Sequence, residues 1–254
     1  MVGDRFNVID KVKGGGMVRR WQKRLRNASR VDLASLRQYR SEARVLRSQL
    51  AELIHVADER LSTASGGLQK PPTADWAWRP EIWRGRLART GHVAPKSGQA
   101  VGKELRLFHD CPRQELVVRQ LRNVGSDDLA PYGLRLDVMA FEGSFLSYAV
   151  DLPDEVLDEL KKTHLIGMAV RAELERPIKI FSRLNIQHGP NTEQIVRELP
   201  LHETEVMVEF DLAYTHLNEK RAEGVWVDII FDTPAMNQIN LRDLTFVRRP
   251  RAAL

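Results

Sequence analysis

The chain has 254 residues, with 39 Lys and Arg against 34 Asp and Glu, a formal charge of +5 and 43% hydrophobic residues. This suits one ordinary domain with an appendage, or two small domains, and excludes disordered and collagen-like chains. The single cysteine, Cys111, excludes an internal disulfide framework and a multi-cysteine zinc site, and no apolar run of about 18 residues could cross a membrane as a helix.

The positive charge is uneven. Residues 1–60 carry fourteen basic and seven acidic side chains, so the excess belongs to the N-terminal quarter. Gly14-Gly15-Gly16 and the surrounding charge stand where a secretory signal needs an apolar stretch. A cytoplasmic location is therefore expected, with peripheral attachment to the inner membrane as its variant.

From Met17 to Arg30 the sequence MVRRWQKRLRNASR places Val18, Trp21, Leu25 and Ala28 on one helical stripe. Arg19, Arg20, Lys23 and Arg24 cover the rest of the turn and, with Trp21, are the candidates for attachment to an anionic surface. The same helix could bind a polyanion, or pack its stripe on its own body. Asn27, Ser29 and Asp32 read as a break, which argues against a nucleic-acid-binding zipper.

A second helix is expected from an Asp32 N-cap to about Leu61. Leu36, Tyr39, Ala43, Leu46, Leu50, Leu53 and Ala57 recur at spacings of three and four, a heptad seam. Glu42, Arg47, Glu52 and Asp58 beside it suit interhelical pairing. The seam points to a homo-oligomeric coiled coil, or to packing on the arm or body. Residues 62–74, with Gly66-Gly67 and Pro71-Pro72, read as a linker. The expected division is thus 1–61 helices, 62–74 linker and 75–254 body.

The body has a period of two. Leu134 to Ala140 and Leu146 to Leu152 alternate about a Glu142-Gly143 turn, predicting a hairpin. Further alternating runs cover 168–174, 178–184, 206–212 and 225–231, with a last strand at 241–247. One helix is expected at about 153–162, with Pro153 at its start and Lys161 and Lys162 at its end. The fold predicted is mainly β: an antiparallel, jelly-roll-like β-sandwich of nine or ten strands preceded by N-terminal α-helices.

No nucleotide-binding, metalloprotease or nucleophile-elbow motif occurs. Cys111 follows His109 in a turn, and Pro112 bends the segment away from a Cys–His arrangement. The seven histidines lack metal-ligand spacing, so neither a metal nor a cofactor is expected. The polar side of the strands carries Arg171, Glu173, Arg183, Asn185, Gln187, Asp228 and Trp226, and the loop His188-Gly189-Pro190-Asn191 follows. An indole beside amides, a guanidinium and a carboxylate suits a sugar, which stacks on one and is hydrogen-bonded by the others. Trp226, Arg183, Asn185, Asp228, His188 and Asn191 are the candidate ligand-binding residues. The plainer reading is cross-strand charge pairing on a solvated sheet. Trp76, Trp78 and Trp83 are expected to dock a lead-in segment onto the sandwich.

Residues 75–254 resemble an uncharacterised bacterial family whose members share stretches like DWAWRPEIWRG, LFHDC, HGPNTEQ, VEFDLAYT and RDLTFVRRPRA. That resemblance transfers no activity. More loosely, Val225 to Val247, with its Trp-Val-Asp-Ile strand, is similar to carbohydrate-binding jelly-roll modules. The function expected is a non-catalytic module recognising a glycan, glycoconjugate or protein surface, with the N-terminal helices oligomerising it or holding it at an anionic surface. The alternatives are an assembly protein and, third, a sugar- or acyl-acting enzyme using Asp228, Glu173 or His188.

Overall fold

The computed structural model describes residues 5–64, 70–125, 128–201 and 205–251. Their contacts divide the chain into two compact units, Met1–Val56 and Ala57–Leu254.

The first unit is helical. α1 (Arg5–Asn27) runs through the glycine triplet that reads as a break in the sequence. Gly15 and Gly16 stand in open space, so the helix bears only their intrinsic cost of about 1 kcal/mol per residue. α2 (Leu33–Ala64) follows a turn at 28–32. Asp32 caps it: the Ser35 N–H and hydroxyl donate to its two carboxylate oxygens at 2.9 and 2.7 Å. These bonds hold the Asp32 carboxyl below its ordinary value. The start of the stretch expected as linker is helical, since α2 ends at Ala64, and 65–69 lie outside the described residues.

Among the described residues the second unit holds thirteen strands, ten of them beyond residue 104. In chain order they are β1 (Trp76–Trp78), β2 (Gly91–Val93), β3 (Gln99–Val101), β4 (Leu105–His109), β5 (Leu116–Arg122), β6 (Tyr132–Val138), β7 (Leu146–Asp151), β8 (His164–Leu174), β9 (Ile180–His188), β10 (Asn191–Glu198), β11 (Glu205–Asp211), β12 (Ala222–Phe231) and β13 (Asn237–Pro250), with a one-turn helix α3 (Glu81–Arg84) after β1. Two antiparallel sheets result. One runs β11-β8-β13-β6-β5-β2 with β1 on β13, and the other β10-β9-β12-β7-β4-β3. The period-two pattern turns one face of each sheet inward. Leu134, Leu136, Ile239 and Phe246 from the first meet Tyr148, Leu184, Val227 and Phe231 from the second in one core. Each such side chain contributes about 1.5–3 kcal/mol by burial.

Two expectations are corrected. The runs at 134–140 and 146–152 do not form a hairpin: β6 lies in one sheet and β7 in the other. Alternation tells only that each buries a face, and here those faces meet across the core. The helix expected at 153–162 is a single 3₁₀ turn at Asp154–Val156. Glu159 adopts a left-handed conformation with φ of 56°, which stops helical propagation. The buried Arg248 guanidinium donates to the Val156 carbonyl at 2.7 Å and to that of Asp158, taking acceptors a helix would have used.

The lead-in tryptophans dock as expected. Trp76 and Trp78 stack 6.4 Å apart, and Trp78 lies 5.9 Å from Phe246. Trp83 is fully buried and donates its indole N–H to the Leu241 carbonyl at 2.9 Å.

Candidate functional site

The outer face of the six-stranded sheet is set by register. On β9, Leu184 and Ile186 enter the core, so Arg183 and Asn185 point outward; on β12, Val225 and Val227 do the same for Trp226 and Asp228. Asn185 pairs with Trp226 and Arg183 with Asp228. Extended across neighbouring strands, one row reads Gln194, Asn185, Trp226, Asp151 and the next Val196, Arg183, Asp228, Ala149, Arg106. Four sequence-predicted residues thus meet on two adjacent rows.

They form a connected polar cluster. Arg183 donates to Asp228 Oδ2 through Nε at 2.9 Å and Nη2 at 2.8 Å. Asn185 Nδ2 donates to the same oxygen at 2.9 Å and to the Arg183 carbonyl at 3.0 Å. Gln194 Nε2 donates to Asn185 Oδ1 at 2.9 Å. Asn185 has no exposed surface and Asp228 little, whereas the Arg183 side chain is 38% exposed and Trp226 half-buried. The charged pair is therefore locked from beneath and open from above. Among the described residues, Arg183 Nη1, Asp228 Oδ1 and Trp226 Nε1 take no hydrogen-bond partner. Fixed side chains with open donors and acceptors bind with little further ordering cost. Ala149 and Ser147 on β7, both small, stand between the Trp226, Asp228 and Ile230 positions of β12 and Arg106 and Phe108 of β4. Arg106 and Asp151 pair at 3.5 Å at that side.

The other candidates lie elsewhere. His188 continues the inward set of β9 and is buried; its Nδ1 accepts the Asn218 N–H at 3.4 Å, and Nε2 lies 3.7 Å from Glu193. Asn191 opens β10 opposite His188 and is exposed, away from the Trp226 row. Arg171 and Glu173 belong to β8 in the other sheet, so the polar face read from the sequence is two faces. Asp228, Glu173 and His188 consequently occupy three separate surroundings and do not form an acid–base set. His109 accepts the Cys111 backbone N–H at Nδ1 (3.2 Å) and lies 2.9 Å from the Pro95 carbonyl through Nε2, so its ring is engaged with backbone at both nitrogens. Sequence reasoning missed Gln194, Asp151, Ala149 and Ser147; only the strand register brings them to the site.

In the helical unit, Arg19, Arg20 and Lys23 are exposed. Arg24 turns toward α2 instead, with the half-buried Trp21 beside it. The Arg24 guanidinium lies 4.7 Å from the Trp21 ring centroid, 4.5 Å from that of Tyr39, and donates to Glu42 at 2.6 Å. The ion pair holds the Glu42 carboxyl below its ordinary value. On the heptad seam Leu36, Tyr39, Ala43 and Leu46 are half-buried, whereas Leu50 and Leu53 are 44% and 64% exposed.

Comparison with solved structures finds distant similarity. The Family 11 carbohydrate-binding module from Clostridium thermocellum, solved with a beta-1,3-1,4-mixed-linked tetrasaccharide, is 8% identical, with a TM-score of 0.38 over 65% of this chain and 100% of that one. The CBM22-1 xylan-binding domain from Paenibacillus barcinonensis Xyn10C is 10% identical, with a TM-score of 0.35 over 66% of this chain and 100% of that one. The enzymatically active domain of bacteriophage CBA120 tailspike protein 4 is 9% identical, with a TM-score of 0.41 over 57% of this chain; the match spans 19% of the tailspike chain. No curated protein matches the sequence. A family does match, and over residues 1–254, the helices as well as the body: the chain belongs to a family of unknown function, DUF6478.

Proposed function

We propose that the β-sandwich is a non-catalytic recognition module whose ligand is a glycan or glycoconjugate, held on the outer face of the six-stranded sheet. The observation that carries this is the Trp226–Arg183–Asp228–Asn185–Gln194 cluster, braced internally and open at Arg183 Nη1, Asp228 Oδ1 and Trp226 Nε1. A sugar ring offers an apolar face to the half-buried indole, and its hydroxyls both donate and accept. Asp228 accepts a hydrogen bond from a hydroxyl, and Arg183 and the indole N–H donate to hydroxyl oxygens. Each bond replaces one with water, so discrimination comes from geometry.

The test is calorimetric titration of the full chain with a panel of oligosaccharides. One or more binds, and Trp226→Ala and Arg183→Ala each weaken it at least about tenfold, or about 1.4 kcal/mol. An empty panel, or affinities unchanged in both variants, overturns the reading.

A second role belongs to the N-terminal helices. The exposed Leu50, Leu53, Ile54 and Val56 of α2 support self-association. The exposed Arg19, Arg20 and Lys23, with Val18 and Leu25 beside them 56% and 77% exposed, support attachment to an anionic membrane surface. Light scattering and co-sedimentation with phosphatidylserine vesicles test these separately.

A further inference from the structure

The seven-stranded sheet has an outer face of its own, on the opposite side of the sandwich from the Trp226 cluster. Its register aligns Glu173 of β8, Asn240 of β13 and Arg135 of β6 side by side. Their sequence neighbours Leu134, Leu136, Ile239 and Leu241 enter the core. Between Leu241 and Asp243 the ladder of β13 bulges, inserting Arg242. Such bulges re-aim a side chain, and Arg242 is held by Asp128 through Nε at 2.9 Å and by Glu173 through Nη1 at 2.8 Å. Hydrogen bonds from Arg242, working against burial, keep the Asp128 carboxyl below its ordinary value.

These residues and the end of β5, Leu121 to Val124, enclose a recess of about 110 Å³. Gly133 keeps its floor open: a Cβ there would lie 3.0 Å from the Leu241 carbonyl and 2.9 Å from Asn123 Oδ1. Asn123 in turn ties the wall together, donating to the Ala130 and Arg242 carbonyls at 2.9 and 2.8 Å.

Two groups in this recess are unfinished. Asn240 Oδ1 is buried and accepts no hydrogen bond among the described residues, a state that costs about 1–3 kcal/mol unless a donor arrives. Arg135 spends Nε on Asp137 Oδ1 at 2.7 Å, and its Nη pair takes no protein partner among the described residues. Asp137 is shared with Arg119 at 3.1 Å, so two guanidiniums divide one carboxylate. Arg242 is taken up by Asp128 and Glu173, so the Arg135 Nη pair is the charged donor left for an incoming acceptor. The ligand these groups call for accepts from a guanidinium, donates to a carbonyl and carries negative charge.

We propose that the recess is a second binding site, for a small hydroxy-carboxylate: its carboxylate sits on the Arg135 Nη fork and its hydroxyl donates to Asn240 Oδ1. Arg135 and Asn240 are direct cross-strand neighbours, about 5 Å apart at Cβ, the span of adjacent functional groups on one small molecule. The volume corresponds to about seven to eleven waters at 10–15 Å³ each, and the carbon skeleton lies against the exposed Leu121 and Val124 at the rim. An ammonium at Asn240 would sit about 5 Å from the Arg135 guanidinium of the neighbouring strand, like charge against like, so a hydroxyl is the preferred donor.

The experiment is calorimetric titration of the full chain with four probes that are not sugars: lactate, 3-hydroxybutanoate, 1,2-propanediol and propanoate. Lactate and 3-hydroxybutanoate bind in the millimolar range, while propanediol, lacking the carboxylate, and propanoate, lacking the hydroxyl, are at least about tenfold weaker. Arg135→Gln and Asn240→Leu each weaken the hydroxy acids by about tenfold or more with the melting transition retained; Asn240→Asp, nearly isosteric, does the same by charge repulsion. Trp226→Ala leaves these affinities unchanged, which separates this site from the glycan face. Absence of binding by both hydroxy acids, equal binding of propanediol or propanoate, or retention of full affinity in Arg135→Gln overturns the proposal.

Discussion

Replacing Asp228 with alanine probes the brace beneath the proposed recognition face. Asp228 Oδ2 accepts from Arg183 Nε and Nη2 and from Asn185 Nδ2, at 2.8 to 2.9 Å. The Arg183 side chain is 38% exposed, so water replaces much of the ion pair, and its loss costs at most about 1 kcal/mol. The Asn185 bond is different. Asn185 is wholly buried, and its Nδ2 keeps only the Arg183 carbonyl at 3.0 Å and the Trp226 carbonyl at 3.4 Å. Losing a buried bond to a charged acceptor costs about 1.5–3 kcal/mol, at the lower end where a second acceptor persists. The expected total is about 2 kcal/mol for Asp228→Ala and about 1 kcal/mol for Asp228→Asn, which retains an acceptor. The coupling between Arg183→Ala and Asp228→Ala in a double-mutant cycle is then about 0.5–1 kcal/mol. Urea unfolding followed by tryptophan fluorescence measures it, since four of the five tryptophans lie in the sandwich. Asp228→Ala within about 0.3 kcal/mol of the parent, or a coupling above about 3 kcal/mol, would refute the account of a pair locked below and wet above.

Other consequences follow from buried groups and from α2. The Tyr148 hydroxyl is buried without a hydrogen-bond partner among the described residues, and burial pushes its pKa far up; Tyr148→Phe is expected to stabilise the protein by about 1 kcal/mol, seen as a higher urea midpoint. Burial, reinforced by the Arg89 charge, holds the His92 imidazole below its ordinary 6.5, and burial does the same to His164 against the attraction of Asp75. Because the unfolded chain takes up these protons more readily, stability is full above pH 6.5 and declines as pH falls below it; melting scans from pH 8 to 5 check this, with His92→Gln flattening the slope. Leu50→Glu with Leu53→Glu reduces the mass measured by light scattering to that of one chain if α2 self-associates, and a parent that is already monomeric contradicts that role.

The sequence made some of this legible and not the rest, for identifiable reasons. Alternation in Leu146–Asp151, Ile180–His188 and Ala222–Phe231 reveals strands and their inward faces, because water is excluded from only one side of each. It carries no information on which sheet a strand joins, so β6 and β7 read as a hairpin and Arg171 and Glu173 read as companions of Arg183. β10 carries no alternating signal because it is an edge strand, with polar side chains on both faces from Asn191 to Gln194 and only partial burial at Glu193 and Ile195. Trp226, Asp228, Arg183 and Asn185 are legible as a group because residues on alternate positions of neighbouring strands share a face. His188 obeyed the same periodicity but on the inward set, and its proximity to the Gly189 turn hid that. The recess at Asn240 depends on a bulge and on four strands, β5, β6, β8 and β13, brought together from across the body, and local patterning encodes neither.

The most direct measurement is chemical-shift mapping of the isotopically labelled full chain with an oligosaccharide that binds. The account predicts that the Trp226 indole N–H, the Arg183 Nε–H and the Gln194 and Asn185 side-chain amides shift together and saturate at one affinity. Shifts confined to the seven-stranded sheet or to α1 and α2, with the Trp226 indole unmoved, would contradict it.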